Sequence, residues 1–157
     1  MRLTAVAAVL LCSTLSQSED GAKPDYKEIE KKIKDTYAEI TKAAEGVDAE
    51  KLFSYILDND KGSLIQRGRI ILTRKEALDS YKKNSEGIEK IKYNIYPQYV
   101  TVISPETAIL VAEGSYEATT TEGATFAGSF AQTVVFVLKD NQWKVLHSHT
   151  SSPIVGQ

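Results

Sequence analysis

The only two histidines of this 157-residue chain stand two apart near its end, in the stretch Trp143 to Ser151, WKVLHSHTS. Side chains of an extended strand alternate between two faces, which groups Trp143, Val145, His147, His149 and Ser151 on one side and Lys144, Leu146, Ser148 and Thr150 on the other. An apolar surface grading into two imidazoles and a hydroxyl is how small-molecule pockets are commonly lined. Imidazole exchanges a proton near neutral pH, so His147 and His149 are the candidate catalytic residues, with Ser151 or a tyrosine to orient them. The competing reading makes them structural, hydrogen-bonded within the pocket wall, because buried polar groups normally find partners. A His-x-His pair can also offer two metal ligands from one face, and Glu113 could be a third. No further histidine exists, however, and the single cysteine, Cys12, falls in an N-terminal leader, so no metal and no cofactor are expected.

Other side chains extend the list of ligand-binding candidates beyond Trp143, His147, His149 and Ser151. Arg67 and Arg69 flank Gly68 and can hold a carboxylate with two parallel hydrogen bonds. Tyr37, Tyr55, Tyr93, Tyr99 and Tyr116 supply hydroxyls wherever they share the pocket's face, and Tyr37, Tyr99 and Arg67 join the candidate set. Asp58, Asn59, Asp60 and Gly62 mimic the opening of a calcium loop but lack its twelve-residue ligand pattern, and read as a turn. No phosphate-binding glycine loop, nucleophile elbow or dinucleotide fingerprint occurs. A formal net charge of -2 with no basic stripe argues against a nucleic-acid partner.

These residues need a frame, and the chain supplies one in order. Residues 1–18 read as a secretory signal peptide, with a basic start at Arg2, an apolar run from Leu3 to Leu11, and small residues before a cleavage point after Ser18. The run is too short for a membrane span, and a secreted or periplasmic location is expected. Residues 19–25 form a polar lead-in to a domain expected over 26–153, followed by a short tail. Asp25 with Glu28 opens a helix whose apolar residues Ile29, Ile33, Tyr37 and Ile40 recur at helical spacing up to Gly46. Asp48 caps a second, shorter helix, and Thr73 with Glu76 caps a third, from Arg74 to about Ser85. Between them, Ser63 to Gln66 and Arg69 to Leu72 make a hairpin around Arg67-Gly68.

From Glu89 onward four long strands alternate apolar and polar residues, the third carrying Phe126, Gly128, Phe130, Gln132, Val134, Phe136 and Leu138 on one face. Pro97 cannot donate a ladder hydrogen bond and marks a bulge or bend. Three helices and a curved antiparallel meander make an α+β domain with its helices on one sheet face. Apolar residues on the other face, Val135 and Val137 among them, need a partner surface, and a homodimer through the sheet is expected.

In this element order, over nearly all of residues 26 to 153, the chain resembles the nuclear-transport-factor-2-like superfamily and, within it, the SnoaL-like proteins. The pattern Trp143-x3-His147-x-His149-x-Ser151 also resembles the end of the association domain of calcium/calmodulin-dependent kinase II. The resemblance implies a cone-shaped curved sheet wrapped around the first helix, open at one end, with Arg67 and Arg69 next to its mouth. It implies no single function, since the superfamily holds ketosteroid isomerase, scytalone dehydratase, polyketide cyclases and members that only bind or oligomerise. The aspartate base and oxyanion-hole tyrosine of ketosteroid isomerase correspond to Ile65 or Gln66 and to a position near Glu39, so steroid isomerisation is not expected. The readings left are an exported protein binding a small, largely apolar molecule, a histidine-based isomerase, cyclase or dehydratase-like enzyme, and an oligomerisation module.

Overall fold

A computed structural model describes residues 25–61 and 63–153; the expected leader with Cys12, most of the expected lead-in, Gly62 and residues 154–157 lie outside the described residues. Helix α1 (Tyr26–Glu45) starts where the Asp25 carboxylate accepts from the backbone N–H groups of Lys27 and Glu28, and ends at Gly46. Helix α2 (Ala49–Ser54) is capped by Asp48, which accepts from Lys51 N. Strands β1 (Leu64–Gln66) and β2 (Arg69–Ile71) enclose a two-residue turn. Both turn residues, Arg67 (φ 52°) and Gly68 (φ 72°), take the left-handed conformation that matches the twist of a tight hairpin. Helix α3 (Arg74–Asn84) has a reciprocal cap, Thr73 accepting from Glu76 N while the Glu76 carboxylate accepts from Leu72 N.

Four long strands follow: β3 (Ile88–Ser104), β4 (Thr107–Thr120), β5 (Thr125–Lys139) and β6 (Gln142–Ser151). They form one curved, open sheet in the order β2-β1-β6-β5-β4-β3. All neighbours are antiparallel except β1 and β6, which run parallel, so the hairpin extends the four-stranded meander into a mixed sheet. Strand β3 loses register between Ile95 and Gln98, at Tyr96-Pro97, where proline has no N–H to donate. The Glu45 carboxylate accepts from Tyr93 N at 2.9 Å and ties β3 to the end of α1.

Cross-strand registers define the inner face. Val100, Leu110, Val134 and Ser148 form one rung across β3 to β6, and Val102, Ala108, Phe136 and Val145 another. Ile33 of α1 packs on this face with Leu110, Val134 and Phe136, all four fully buried, and Tyr37, Phe53, Ile56 and Trp143 complete the core. Truncating a buried aromatic such as Phe136 to alanine typically costs about 3–5 kcal/mol.

Strand β6 contains a bulge. Val135 pairs with His147 but Phe136 pairs with Val145, so Leu146 has no partner on β5. The cause lies on the other edge of β6. Val145 is bonded there by Tyr55 O and Leu57 N, both at 2.8 Å, while Ser148 N donates to Ser63 O and begins the pairing with β1. One extra residue lets the strand pass from the first partner to the second, and it reverses the facing of everything after it. Trp143 and Val145 point inward, and beyond Leu146 the inward residues are Ser148 and Thr150.

Candidate functional site

Between the inner face and the three helices lies a cavity of about 390 Å³. Its walls come from every layer: Tyr37 and Ile40 of α1, Phe53 of α2, Tyr81 of α3, and inward residues of β3 to β6. An aromatic array covers the sheet side. Tyr93 meets Phe130 edge-on at 6.0 Å and Tyr116 at 6.2 Å, and Tyr116 meets Phe126 edge-on at 6.4 Å. Two glycines make room for these rings. A Cβ on Gly128 would lie 2.7 Å from the Tyr116 hydroxyl oxygen, and one on Gly114 would lie 2.6 Å from Asn94 O and 3.1 Å from Phe130 Cζ.

The polar part of the wall is a hydrogen-bonded chain drawn from three elements. Tyr37 Oη donates to Gln132 Oε1 at 2.7 Å, and Gln132 Nε2 donates to Ser148 Oγ and Thr150 Oγ1, each at 3.0 Å. Burial, and secondarily the neighbouring Tyr93 phenol, pushes the Tyr37 hydroxyl up to about 12. Burial likewise pushes Tyr93 up to about 12, with lesser contributions from Tyr81, Tyr116 and Glu45. Both phenols are therefore un-ionised donors at neutral pH. Arg67 is the one charged side chain among the described lining residues, which include no carboxylate, imidazole, ammonium or thiol.

A family model for the SnoaL-like domain matches residues 33–155. The chain belongs to the SnoaL-like domain family. No curated protein matches this SnoaL-like chain. Among solved structures, a nuclear transport factor 2-like superfamily protein from Salmonella enterica aligns with a TM-score of 0.73 at 14% identity, over 83% of this chain and 95% of that one. A ketosteroid isomerase-like protein from Erwinia carotovora aligns at 0.68 and 17% identity, over 81% and 98%. The association domain of CaMKII from C. elegans aligns at 0.65 and 15% identity, over 80% and 96%. Identities this low establish a shared fold.

Within the SnoaL-like domain, the candidates read from the sequence separate into three places. Tyr37 and Arg67 line the cavity, as do Tyr93 and Tyr116. Trp143, 8% exposed, is part of the core beside the cavity. His147, His149 and Ser151 are on the outer face, paired with Val135, Thr133 and Ala131, because the bulge at Leu146 breaks the alternation that grouped them with Trp143. The shared pocket face expected for the two histidines is thereby corrected: the side chains there are Ser148 and Thr150. Tyr99 also points outward, 65% exposed, and Tyr55 donates to Glu39 at the surface. Gln66, paired with Thr150, faces the cavity, and Ile65, in register with outward His149, reaches it only on β1, near the sheet edge, so the position that resemblance assigns to a carboxylate base holds none.

Gln132, Ser148 and Thr150 are the site residues that strand alternation did not single out. Gln132 had a visible signal, as the one amide in the apolar series from Phe126 to Leu138. The two hydroxyls had none, because their facing depends on a bulge set by distant partners.

Proposed function

We propose that this SnoaL-like protein is an exported binder of a small, largely apolar molecule, held in the cone without turnover. The hollow, aromatic-walled cavity carries this reading, since a volume of about 390 Å³ lies within the usual range for pockets that enclose a small ligand. Phe126 and Phe130 line the wall while Phe136 lies fully buried in the core, so the phenylalanines leave the cone hollow. Turnover by a histidine base loses support because neither imidazole faces the cavity. Tyr37 is the proposed ligand contact deep in the wall and Arg67 the contact on the β1–β2 turn. Thermal unfolding against a panel of polycyclic and apolar carbonyl compounds tests it. Saturable stabilisation by at least one, lost on filling the cavity with Ala118→Trp, is the expected result; no stabilisation by any overturns it. Export rests on the leader, and intact mass of the exported protein is expected to place its N-terminus at Glu19.

The outer sheet face favours self-association as a second property of the same protein. One register rung, Ile70-Ile65-His149-Thr133-Val111-Tyr99, crosses all six strands. Ile70, Val111 and Tyr99 on it are 64%, 44% and 65% exposed. Covering such a stripe with a second copy removes it from water, and a homodimer through the sheet is the proposed assembly. Among the described residues no helix is long and apolar enough to cross a membrane.

A further inference from the structure

We infer that the molecule bound in this cone carries a carbonyl oxygen, which the hydroxyls of Ser148 and Thr150 receive. The inference rests on the binding reading and specifies its ligand class. The evidence is the direction of the hydrogen bonds around Gln132. The Tyr37 proton goes to Gln132 Oε1, and the two amide protons of Gln132 go to Ser148 Oγ and Thr150 Oγ1. Each of those hydroxyls accepts at its oxygen, and neither donates to any described group, so its own proton is left for the cavity.

All the donations run one way, from the helix through the amide to the cavity wall. Hydrogen bonds in such a chain polarise one another, which makes the terminal hydroxyls better donors than isolated ones. What completes the chain is an acceptor. A ligand ammonium would find no anion among the described lining residues, whereas a ligand carboxylate would be drawn to Arg67, which follows Gln66, the partner of Thr150 in the sheet. Desolvating a charge without a partner is costly, whereas a carbonyl needs only the donors present. The rest of the wall, aromatic and aliphatic, takes an apolar frame.

Three naphthalenes of nearly equal shape separate the possibilities: 2-acetylnaphthalene, 2-ethylnaphthalene and 2-naphthoate. By calorimetry on the full mature protein, the ketone is expected to bind about five- to tenfold more tightly than the ethyl compound, the worth of one or two neutral hydrogen bonds. Isotope-edited infrared spectra of the ¹³C-carbonyl ketone are expected to show its stretch lowered on binding relative to alkane solvent, with no variant needed. Thr150→Val, nearly isosteric, should narrow the advantage of the ketone over 2-ethylnaphthalene and remove much of the infrared shift. Equal affinities for ketone and hydrocarbon, or an unshifted carbonyl stretch, would overturn the inference and leave the binding reading standing. Tighter binding of 2-naphthoate than of the ketone would move the polar contact to Arg67 and overturn its assignment to the two hydroxyls. Failure of all three to bind would overturn the binding reading and this inference with it.

Discussion

Tyr37 does two things at once: it fills a buried position on α1 and it starts the hydrogen-bonded chain that ends at the cavity wall. Its proton affinity gives a measurable signature. A phenol at about 10 when unfolded and about 12 when folded contributes stability that is complete below pH 10 and is lost as pH rises to 12. Urea unfolding from pH 9 to 12 should therefore show the parent losing on the order of 1–3 kcal/mol more than Tyr37→Phe across that window. Parallel curves would refute the assignment. The two notch glycines make a second residue-scale prediction. Gly128→Ala forces only the Tyr116 ring to move, while Gly114→Ala drives a Cβ toward the backbone oxygen of Asn94 on the neighbouring strand. Overpacking of this kind costs about 1–3 kcal/mol, and thermal melts should rank Gly114→Ala as the more damaging. The reverse order would show that the β3–β4 ladder yields more readily than the aromatic array.

At the level of elements, what could be read from the sequence was whatever is decided locally. Asp25, Asp48 and Thr73 cap the helices they were expected to cap, and Arg67-Gly68 turns a hairpin, because caps and tight turns depend on a few adjacent residues. The alternation along β5 was equally legible and places Phe126, Phe130 and Gln132 on the cavity. Two features were not: the parallel seam between β1 and β6, and the extra residue at Leu146. Both follow from the bonds that Val145 makes with Tyr55 and Leu57 and that Ser148 makes with Ser63, partners more than eighty positions away. Removing Leu146 should therefore do more than shorten a strand. It would make Val145 and His147 consecutive partners of Phe136 and Val135, leave Ser148 and Thr150 facing Gln132, and strain the bonds of Val145 to Tyr55 and Leu57 against that of Ser148 to Ser63, for an expected loss of about 0.5–3 kcal/mol. A deletion variant as stable in urea as its parent would show that the bulge is incidental.

For the molecule as a whole, the proposed pairing through the outer face makes Tyr99→Lys and Val111→Lys the informative changes, since both lie on the exposed rung and neither lines the cavity. Sedimentation should report the mass of one chain for either variant and of two chains for the parent, with ligand affinity at most slightly changed. A parent that sediments as one chain at high concentration would remove the assembly while leaving the cavity reading untouched. The bulge in β6 has a consequence for descent as well. Past Leu146 the strand has two audiences separated by one thickness of backbone: even positions 148, 150 and 152 answer to the interior, and odd positions 147, 149 and 151 to whatever covers the outside. Lineages that keep the ligand but change the partner should accordingly vary at every second residue there, and those that change the ligand but keep the partner should vary at the residues between.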